Sequence, residues 1–179
     1  MSGIKIIAGQ YKGRVLVAPQ GHGTRPTNVR ARQAVFDILA HAPWCDLQDA
    51  HVLDVFAGTG AYGLEALSRG AKQASFMEQA PAALRALKAN IEACSATNTK
   101  VLAVDALHPP LGQHHDLVFL DPPYGKALLT PALHALTAMG WIGAGSIIVA
   151  ETGPNEELET PDLLASRRHG KAEIKIWRV

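Results

Sequence analysis

The segment HVLDVFAGTGAYGLEALSRG, residues 51–70, predicts the fold of this chain. Its first seven residues include five apolar ones, as in a buried strand, and the last ten are typical of a helix that ends at a glycine. Between them, Gly58, Gly60 and Gly63 form a Gly-x-Gly-x-x-Gly pattern. Such a turn allows close backbone approach to a ligand, and a helix N-terminus offers free N–H groups to an anion. We therefore expect a ligand site here; a turn that needs glycines only for packing is the alternative.

Strands and helices alternate from this segment to the C-terminus. The further predicted strands are 73–79, 100–106, 116–123 and 146–151, the helices are 81–94 and 128–140, and 165–179 is a closing antiparallel hairpin. Because parallel neighbours need crossover connections, this alternation predicts an α/β fold with a mostly parallel sheet and helices on both faces.

The N-terminal arm, residues 1–42, differs from the rest of the chain in charge. It has six basic residues and one acidic residue, a formal charge of +5, whereas residues 43–179 have 11 basic and 15 acidic residues, a charge of −4. Two short strands and a helix, capped by Thr27 or Asn28 and running to about His41, are predicted within the arm. We expect the arm to be an ordered basic extension that faces a polyanion, beside one main domain. A solvated basic surface without a partner is the alternative.

The remaining composition excludes several classes of protein. Cys45 and Cys94 are isolated and are expected to be small core residues in a reducing compartment, not a disulfide. His114 and His115 lack further ligands at metal-binding spacing, so no metal site is expected. Since no apolar segment is long enough to span a bilayer, we expect a cytoplasmic protein with no membrane partner.

Acidic residues recur where the predicted strands end. They are Asp54, Glu78, Asp105 and Asp121. Ligands of such sheets bind beyond the carboxyl ends of the strands. Glu78 could accept hydrogen bonds from two ribose hydroxyls and Asp105 could bind an adenine amino group, although a solvent-facing acid and a turn residue are the respective alternatives. The set fits either a nicotinamide dinucleotide or S-adenosylmethionine.

The sequence Asp-Pro-Pro-Tyr at 121–124 favours the second of these cofactors. Prolines have no N–H, so this backbone is stiff and its carbonyls have little local competition for donors. Asp121 and the Pro122 carbonyl could together hold an amino group, and the ring of Tyr124 could stack on a planar base. In a dinucleotide-dependent oxidoreductase this motif would have no function. The alternative interpretation of the motif is a rigid turn.

DPPY together with DVFAGTG resembles the amino-group methyltransferases of the S-adenosylmethionine-dependent, Rossmann-like class. Over nearly its full length the chain resembles the RsmD family of bacterial ribosomal RNA methyltransferases. The matching pieces are IIAGQYKGRVL, TRPT with RARQAVFDIL, VLDVFAGTGAYGLEALSRGA, LVFLDPPY, and GW followed by IIVAE. The chain departs from the family pattern at Asn28 and Val29, where a polar residue and an acid are usual, and at Gln33, where a glutamate is common.

The resemblance implies a Rossmann-like methyltransferase fold with a mostly parallel seven-stranded sheet, a closing antiparallel hairpin and a small N-terminal hairpin-plus-helix extension. It also implies methyl transfer from S-adenosylmethionine to the exocyclic N2 of a guanine in 16S ribosomal RNA, guanine 966 in that family. The expected partner is this RNA, naked or within a small-subunit assembly intermediate, and we expect a monomer. A DNA or other RNA amino-methyltransferase, acting on adenine N6 or cytosine N4, and a non-catalytic RNA-binding assembly factor are the alternatives.

The family's functional residues map onto three groups in this chain. The catalytic group is Asp121, Pro122 and Tyr124. The cofactor-binding group is Asp54, Phe56, Gly58, Thr59, Gly60, Glu78, Asp105 and Ala106. The RNA-binding group, which follows from the arm's charge, is Arg14, Arg25, Arg30 and Arg32.

Overall fold

The computed structural model describes residues 4–19, 29–123, 125–153, 158–169 and 172–179. Four described helices are α1 Val29–His41, α2 Ala61–Ser68, α3 Pro81–Ala93 and α4 Leu129–Ala138. The described strands are β1 Ile4–Lys5, β2 Val15–Leu16, β3 His51–Val55, β4 Gln73–Met77, β5 Thr99–Leu102, β6 Leu117–Leu120, β7 Ile147–Thr152, β8 Asp162–His169 and β9 Ala172–Arg178.

A seven-stranded sheet with the order β5-β4-β3-β6-β7-β9-β8 forms the body of the protein. The strands β3 to β7 run parallel to one another, and β9 is antiparallel to both β7 and β8. The predicted mostly parallel sheet with a closing antiparallel hairpin is therefore confirmed. The topology reverses direction at β3, since the chain moves outward to β4 and β5 and then returns to β6 on the other side. Ligand crevices form at such switch points.

Two hydrophobic cores lie on opposite faces of this sheet. Along β3, Val52 belongs to the first core, whereas Leu53 and Val55 belong to the second. Because side chains alternate between the faces of a strand, a strand covered on both sides is apolar at nearly every position. Helices α1, α2 and α3 cover the first core and α4 covers the second, which confirms the prediction of helices on both faces.

The N-terminal arm packs into the first core. Its two strands pair antiparallel, and Ile4, Ile6 and Leu16 are buried together with Phe36 and Leu39 of α1. The predicted hairpin and helix are therefore present and ordered. The proposed capping residues of the helix, Thr27 and Asn28, lie outside the described residues.

Two smaller expectations concern the cysteines and the membrane. Cys45 and Cys94 are both free and pack in or against the first core, as predicted. None of the four described helices is long and apolar enough to cross a bilayer.

Candidate functional site

Three of the four acidic residues come together at the carboxyl ends of adjacent strands. Asp54 lies in β3, Glu78 directly follows β4, and Asp121 directly follows β6. The carboxylates of Asp121 and Glu78 both oppose the ionisation of Asp54 electrostatically, as expected of neighbouring like charges. In the described part of the chain, no group of three or more His, Cys, Asp and Glu side chains is arranged to hold a metal ion. The cluster is an acidic crevice that suits a cationic or hydroxyl-rich ligand.

Asp54 is a buried acid with a strongly perturbed ionisation. Only 3% of the residue is exposed, and its Oδ2 accepts a hydrogen bond of 2.9 Å from the N–H of Gly63. Burial raises the pKa of this carboxyl to about 8; the nearby Asp121 and Glu78 carboxylates add to the rise, and the Gly63 N–H opposes it. The position of Asp54 on the face of the first core puts it under the glycine loop, at the start of α2.

The three glycines of the loop 58–63 serve two different purposes. A Cβ added to Gly60 would lie 2.4 Å from the side chain of Leu87, and one added to Gly63 would lie 2.4 Å from the ring of Phe76. Packing therefore accounts for glycine at these two positions. Gly60 and Gly58 both have a positive φ, +77° and +55°. Gly58 differs in its surroundings, because among the described residues the nearest atom to its added Cβ would be 3.9 Å away. Gly58 is the position where the loop backbone is open to a ligand.

Other residues of the loop hold its shape. Phe56 is half-buried and adopts a φ of +59°, which a non-glycine residue rarely adopts and which tends to occur at functional sites. The N–H of Ala57 donates to the carbonyl of Met77 at 3.0 Å. Thr59 is buried, and its carbonyl accepts a hydrogen bond of 3.0 Å from Nδ2 of Asn90 in α3. These contacts fix the shape of the loop.

Glu78 fastens the glycine loop to the start of α3. Its Oε2 accepts from the N–H of Gly58 at 2.9 Å, and its Oε1 accepts from the N–H groups of Gln79 and Ala80 at 2.9 and 2.8 Å. The ribose-binding role of Glu78 stays a prediction, and these bonds add a structural role that no sequence motif indicates. The three bonds use three of the four lone pairs of the carboxylate, so one lone pair, on Oε2, is left to accept from a ribose hydroxyl.

Asp105 forms a local turn on the outer side of the crevice. Its Oδ1 accepts from the N–H of Leu107 at 3.0 Å, and its Oδ2 lies 3.1 Å from Nδ1 of His108. These contacts lower the pKa of Asp105, the Leu107 N–H having the largest effect. They match the turn alternative, whereas the adenine contact stays a prediction. The neighbouring Ala106 is buried in the second core.

Asp121 is half-buried at the end of β6, followed by a buried Pro122 and an exposed Pro123. Tyr124, the predicted stacking residue, lies outside the described residues. Beneath this site is Tyr62, which no sequence motif indicates as a site residue. Its ring is buried and stacks on Phe119 with a centroid distance of 4.9 Å. Burial raises the pKa of its hydroxyl, and Asp121 contributes in the same direction.

The predicted RNA-binding arginines do not share one environment. Arg14 and Arg30 are exposed, and Arg25 lies outside the described residues. Arg32 is fully buried: its Nη2 donates to the carbonyl of Lys5, and burial lowers its pKa. The prediction that Arg32 contacts RNA is therefore wrong, because it has no surface to offer to a phosphate.

Polar side chains of the main domain hold the arm in place. The Oδ1 of Asn90 accepts from the N–H of Val17 at 2.7 Å, and its Nδ2 donates to the carbonyl of the same residue at 3.0 Å. Since Nδ2 of Asn90 also bonds to Thr59, this one amide joins the arm to the glycine loop. Glu65 of α2 accepts from the N–H groups of Ile7 and Ala8 at 2.8 and 3.0 Å.

Comparison with known proteins gives consistent matches over most of the chain. The family model described as Conserved hypothetical protein 95 matches residues 4–178. Ribosomal RNA small subunit methyltransferase D of Escherichia coli K12 is 38% identical over 159 residues, which cover 88% of this chain and 78% of that protein. The protein of the same name from Haemophilus influenzae is 34% identical over 184 residues, covering 98% and 93%. A solved E. coli structure described as a candidate methyltransferase, yhhF, superposes with a TM-score of 0.85 at 35% identity, covering 98% of this chain and 97% of that one.

Proposed function

Because this chain belongs to the Conserved hypothetical protein 95 family, which is the RsmD family, we propose that it transfers a methyl group from S-adenosylmethionine to 16S ribosomal RNA. The acceptor is the exocyclic N2 of one guanine, guanine 966 in the family. The observation that carries this proposal is the position of Asp121 and Pro122 at the switch point, on the strand next to the open glycine loop. Residues 43–179 form the catalytic domain and residues 1–42 the RNA-recognition extension of this cytoplasmic enzyme.

The crevice fits the cofactor. The open backbone at Gly58 suits close approach of a ligand, and the acidic cluster suits its positive charges. The amino-acid portion of the cofactor would be held by Asp54, Phe56, Gly58, Thr59 and Gly60. Glu78 would hold the ribose, and Asp105 and Ala106 would hold the adenine. When bound, S-adenosylmethionine supplies an electrophilic methyl group on a sulfonium.

Asp121 and the Pro122 carbonyl act on the nucleophile. A guanine amino nitrogen is weakly nucleophilic because its lone pair is delocalised into the ring. Two acceptors that bind both amino hydrogens favour a geometry in which the lone pair is aimed at the methyl carbon, and in-line transfer depends on that alignment. The nitrogen becomes acidic as its new bond to carbon forms, so Asp121 orients the amine and stabilises positive charge without having to be a strong base.

The base must leave its stack to reach this site. Extrusion of a nucleotide costs a few kcal/mol, and aromatic side chains that stack on the base offset that cost. Tyr124 is placed by the sequence directly after the two prolines and is proposed to be this stacking residue.

Methyl transfer to undermodified small-subunit RNA, naked and in ribosomal particles, tests the proposal. We expect label from S-adenosylmethionine at N2 of a single guanine of 16S RNA. Label on DNA adenine or cytosine would support the DNA methyltransferase alternative, and binding of the RNA without any transfer would support the assembly factor. Comparison of the two substrates shows whether the enzyme acts on naked RNA or on a particle.

Cofactor binding is expected to release a proton from Asp54. With a pKa of about 8, this carboxyl is mostly protonated at pH 7, and a cationic ligand beside it favours the ionised form and lowers that pKa. Binding at pH 7 should thus release close to one proton, and affinity should rise as the pH increases from 6 to 8. Calorimetry in buffers of different ionisation enthalpy measures the proton count. Asp54→Asn should abolish the release; a wild-type protein that exchanges no proton would contradict the assignment.

Removal of two arm cations is expected to weaken RNA binding without affecting the cofactor. In Arg25→Ala with Arg30→Ala, two phosphate contacts are lost, so the salt dependence of RNA affinity should decrease in slope by about 1.4, or about 0.7 for each charge on single-stranded RNA. Salt-titrated RNA binding and cofactor calorimetry measure the two effects separately. An unchanged slope of the salt dependence would show that the arm is not part of the RNA interface. Loss of cofactor affinity in a folded variant would instead make the arm part of the cofactor site.

A further inference from the structure

Helix α1 and the edge strand β8 form the two sides of a surface groove. Its volume is about 320 Å³, and it is lined by Val29, Arg30, Gln33, Ala34, Asp37 and Arg167. The groove therefore brings together cations from the N-terminal arm and from the far end of the chain. The charge of the arm predicts RNA contacts within residues 1–42 alone, which do not include Arg167.

The register of the sheet places Arg167 level with the catalytic site. Asp121 directly follows the last paired residue of β6 and so stands level with Glu151 of β7. Glu151 pairs with Ile174 of β9, and Ile174 pairs with Arg167 of β8. Asp121 and Arg167 are thus in one row across four adjacent strands. At about 4.8 Å between strands, the row spans roughly 14 Å. A single RNA strand covers this distance with a few nucleotides.

Arg167 also lies on the face of the sheet that α1 covers. Directly paired residues of antiparallel strands lie on the same face, and its partner Ile174 is buried in the first core together with Phe36 of α1. Arg167 itself is exposed. The next residue, Arg168, is also exposed but belongs to the opposite face, since side chains alternate along a strand. Arg167 is therefore the β8 arginine that shares the groove with Arg30.

The charges of the groove suit an anionic polymer. Two guanidinium groups line it, against the single carboxylate of Asp37, and Oδ1 of that carboxylate accepts a hydrogen bond of 2.6 Å from Nε2 of Gln33. Guanidinium groups bind phosphates through paired, charge-assisted hydrogen bonds. The mixed polar lining, with Val29 and Ala34 as its apolar members, resembles a nucleic-acid contact surface more than an apolar docking groove.

We propose that this groove binds the phosphate backbone of the substrate RNA a few nucleotides from the methylated base, and that Arg167 makes one of the phosphate contacts. The inference rests on the proposed function and extends it, because it places the RNA across α1 and β8 instead of on the arm alone. Bound in this way, the strand is fixed on one side of the crevice while its target base enters at Asp121.

Charge removal at Arg167 tests the groove. Arg167→Gln keeps a side chain of similar length without the charge, and Arg167→Lys keeps the charge. Arg85→Gln is the matched control, since Arg85 is an exposed arginine of α3, at the other end of the sheet. We expect Arg167→Gln to weaken binding of 16S RNA by up to about fivefold at low salt. The slope of its salt dependence should decrease by roughly 0.7. Arg167→Lys should retain most of the slope, and Arg85→Gln should match the wild type.

The outcomes separate this inference from the proposed function. If the wild type methylates the RNA and Arg167→Gln binds it with wild-type affinity and slope, the groove is not an RNA site although the enzyme assignment stands. Equal losses of RNA affinity in Arg167→Gln and Arg85→Gln would also overturn the inference that the groove binds RNA, because they would indicate a general charge effect. If the wild type itself does not methylate the RNA, the proposed function fails.

Discussion

Replacement of Asp121 by asparagine is expected to slow methyl transfer by about 100-fold or more while leaving cofactor affinity nearly unchanged. The amide has almost the shape of the carboxylate, but it lacks the charge and can turn a donor N–H toward the substrate amine. The amine would then lose an acceptor at the moment when positive charge develops on its nitrogen. In the proposed function the cofactor is held by the glycine loop and by Glu78, whose described hydrogen bonds do not involve Asp121.

Single-turnover methylation of 16S RNA measures this effect without interference from product release. Asp116→Asn is the matched control, because Asp116 precedes the same strand at its amino end and its Oδ2 accepts from the N–H of His51 at 2.8 Å, a bond that an amide oxygen can also accept. The control should retain its rate. A wild-type rate in Asp121→Asn would show that the carboxylate neither orients nor stabilises the amine.

The strand, turn and helix of 51–70 could be predicted from sequence because their signals are local. An apolar run, a glycine cluster and a helix-forming segment each predict the local structure of contiguous residues, without knowledge of distant contacts. The same holds for the position of Asp121, since its strand and the two prolines are contiguous. Glu78 shows the limit: its bonds to Gln79 and Ala80 are local, but its bond to Gly58 depends on how β3 and β4 pair.

The separate purposes of the three loop glycines could not be predicted. Gly60 and Gly63 need to be glycine because Leu87 of α3 and Phe76 of β4 pack against them, and these neighbours are distant in sequence. Only the assembled fold shows that, of the three loop glycines, Gly58 is the one without a close packing neighbour among the described residues.

The wrong assignment of Arg32 has a simpler cause. Counting charges treats every cation of the arm as exposed, whereas Arg32 lies three and four residues before Val35 and Phe36 on the buried face of α1. Residues at this spacing share one face of a helix. Helical periodicity, applied to the charged residues as well as to the apolar ones, would have placed Arg32 in the core.

The buried arginine has a buried partner, Glu65 of α2, and this carboxylate is expected to be the most sensitive polar residue for stability. Neither side chain has any exposed surface, and Nε of Arg32 lies 3.8 Å from Oε2 of Glu65. The same carboxylate accepts from Nε of Arg69 at 2.8 Å as well as from the backbone of Ile7 and Ala8. Glu65 therefore neutralises two arginines and anchors the start of the arm.

Replacement of Glu65 by glutamine is expected to lower the free energy of unfolding by about 3–5 kcal/mol. The amide removes the charge that compensates Arg32, and it directs an N–H toward groups that are themselves donors. For a chain of this size the change corresponds to a decrease in melting temperature of roughly 6–20 °C. The amides of Ile7 and Ala8 should exchange with solvent faster than those of β3, because the arm loses its anchor before the sheet opens.

Thermal unfolding and hydrogen exchange measure these two effects, with Glu92→Gln as the control. Glu92 is exposed on α3, so loss of its charge should change the stability by no more than about 0.5 kcal/mol. If Glu65→Gln were as stable as the control, the arm would have to be held by its apolar contacts through Ile4, Ile6 and Leu16 and by the hydrogen bonds of Asn90 to Val17. If stability fell while exchange at Ile7 and Ala8 stayed slow, the carboxylate would serve to neutralise the two arginines and not to anchor the arm.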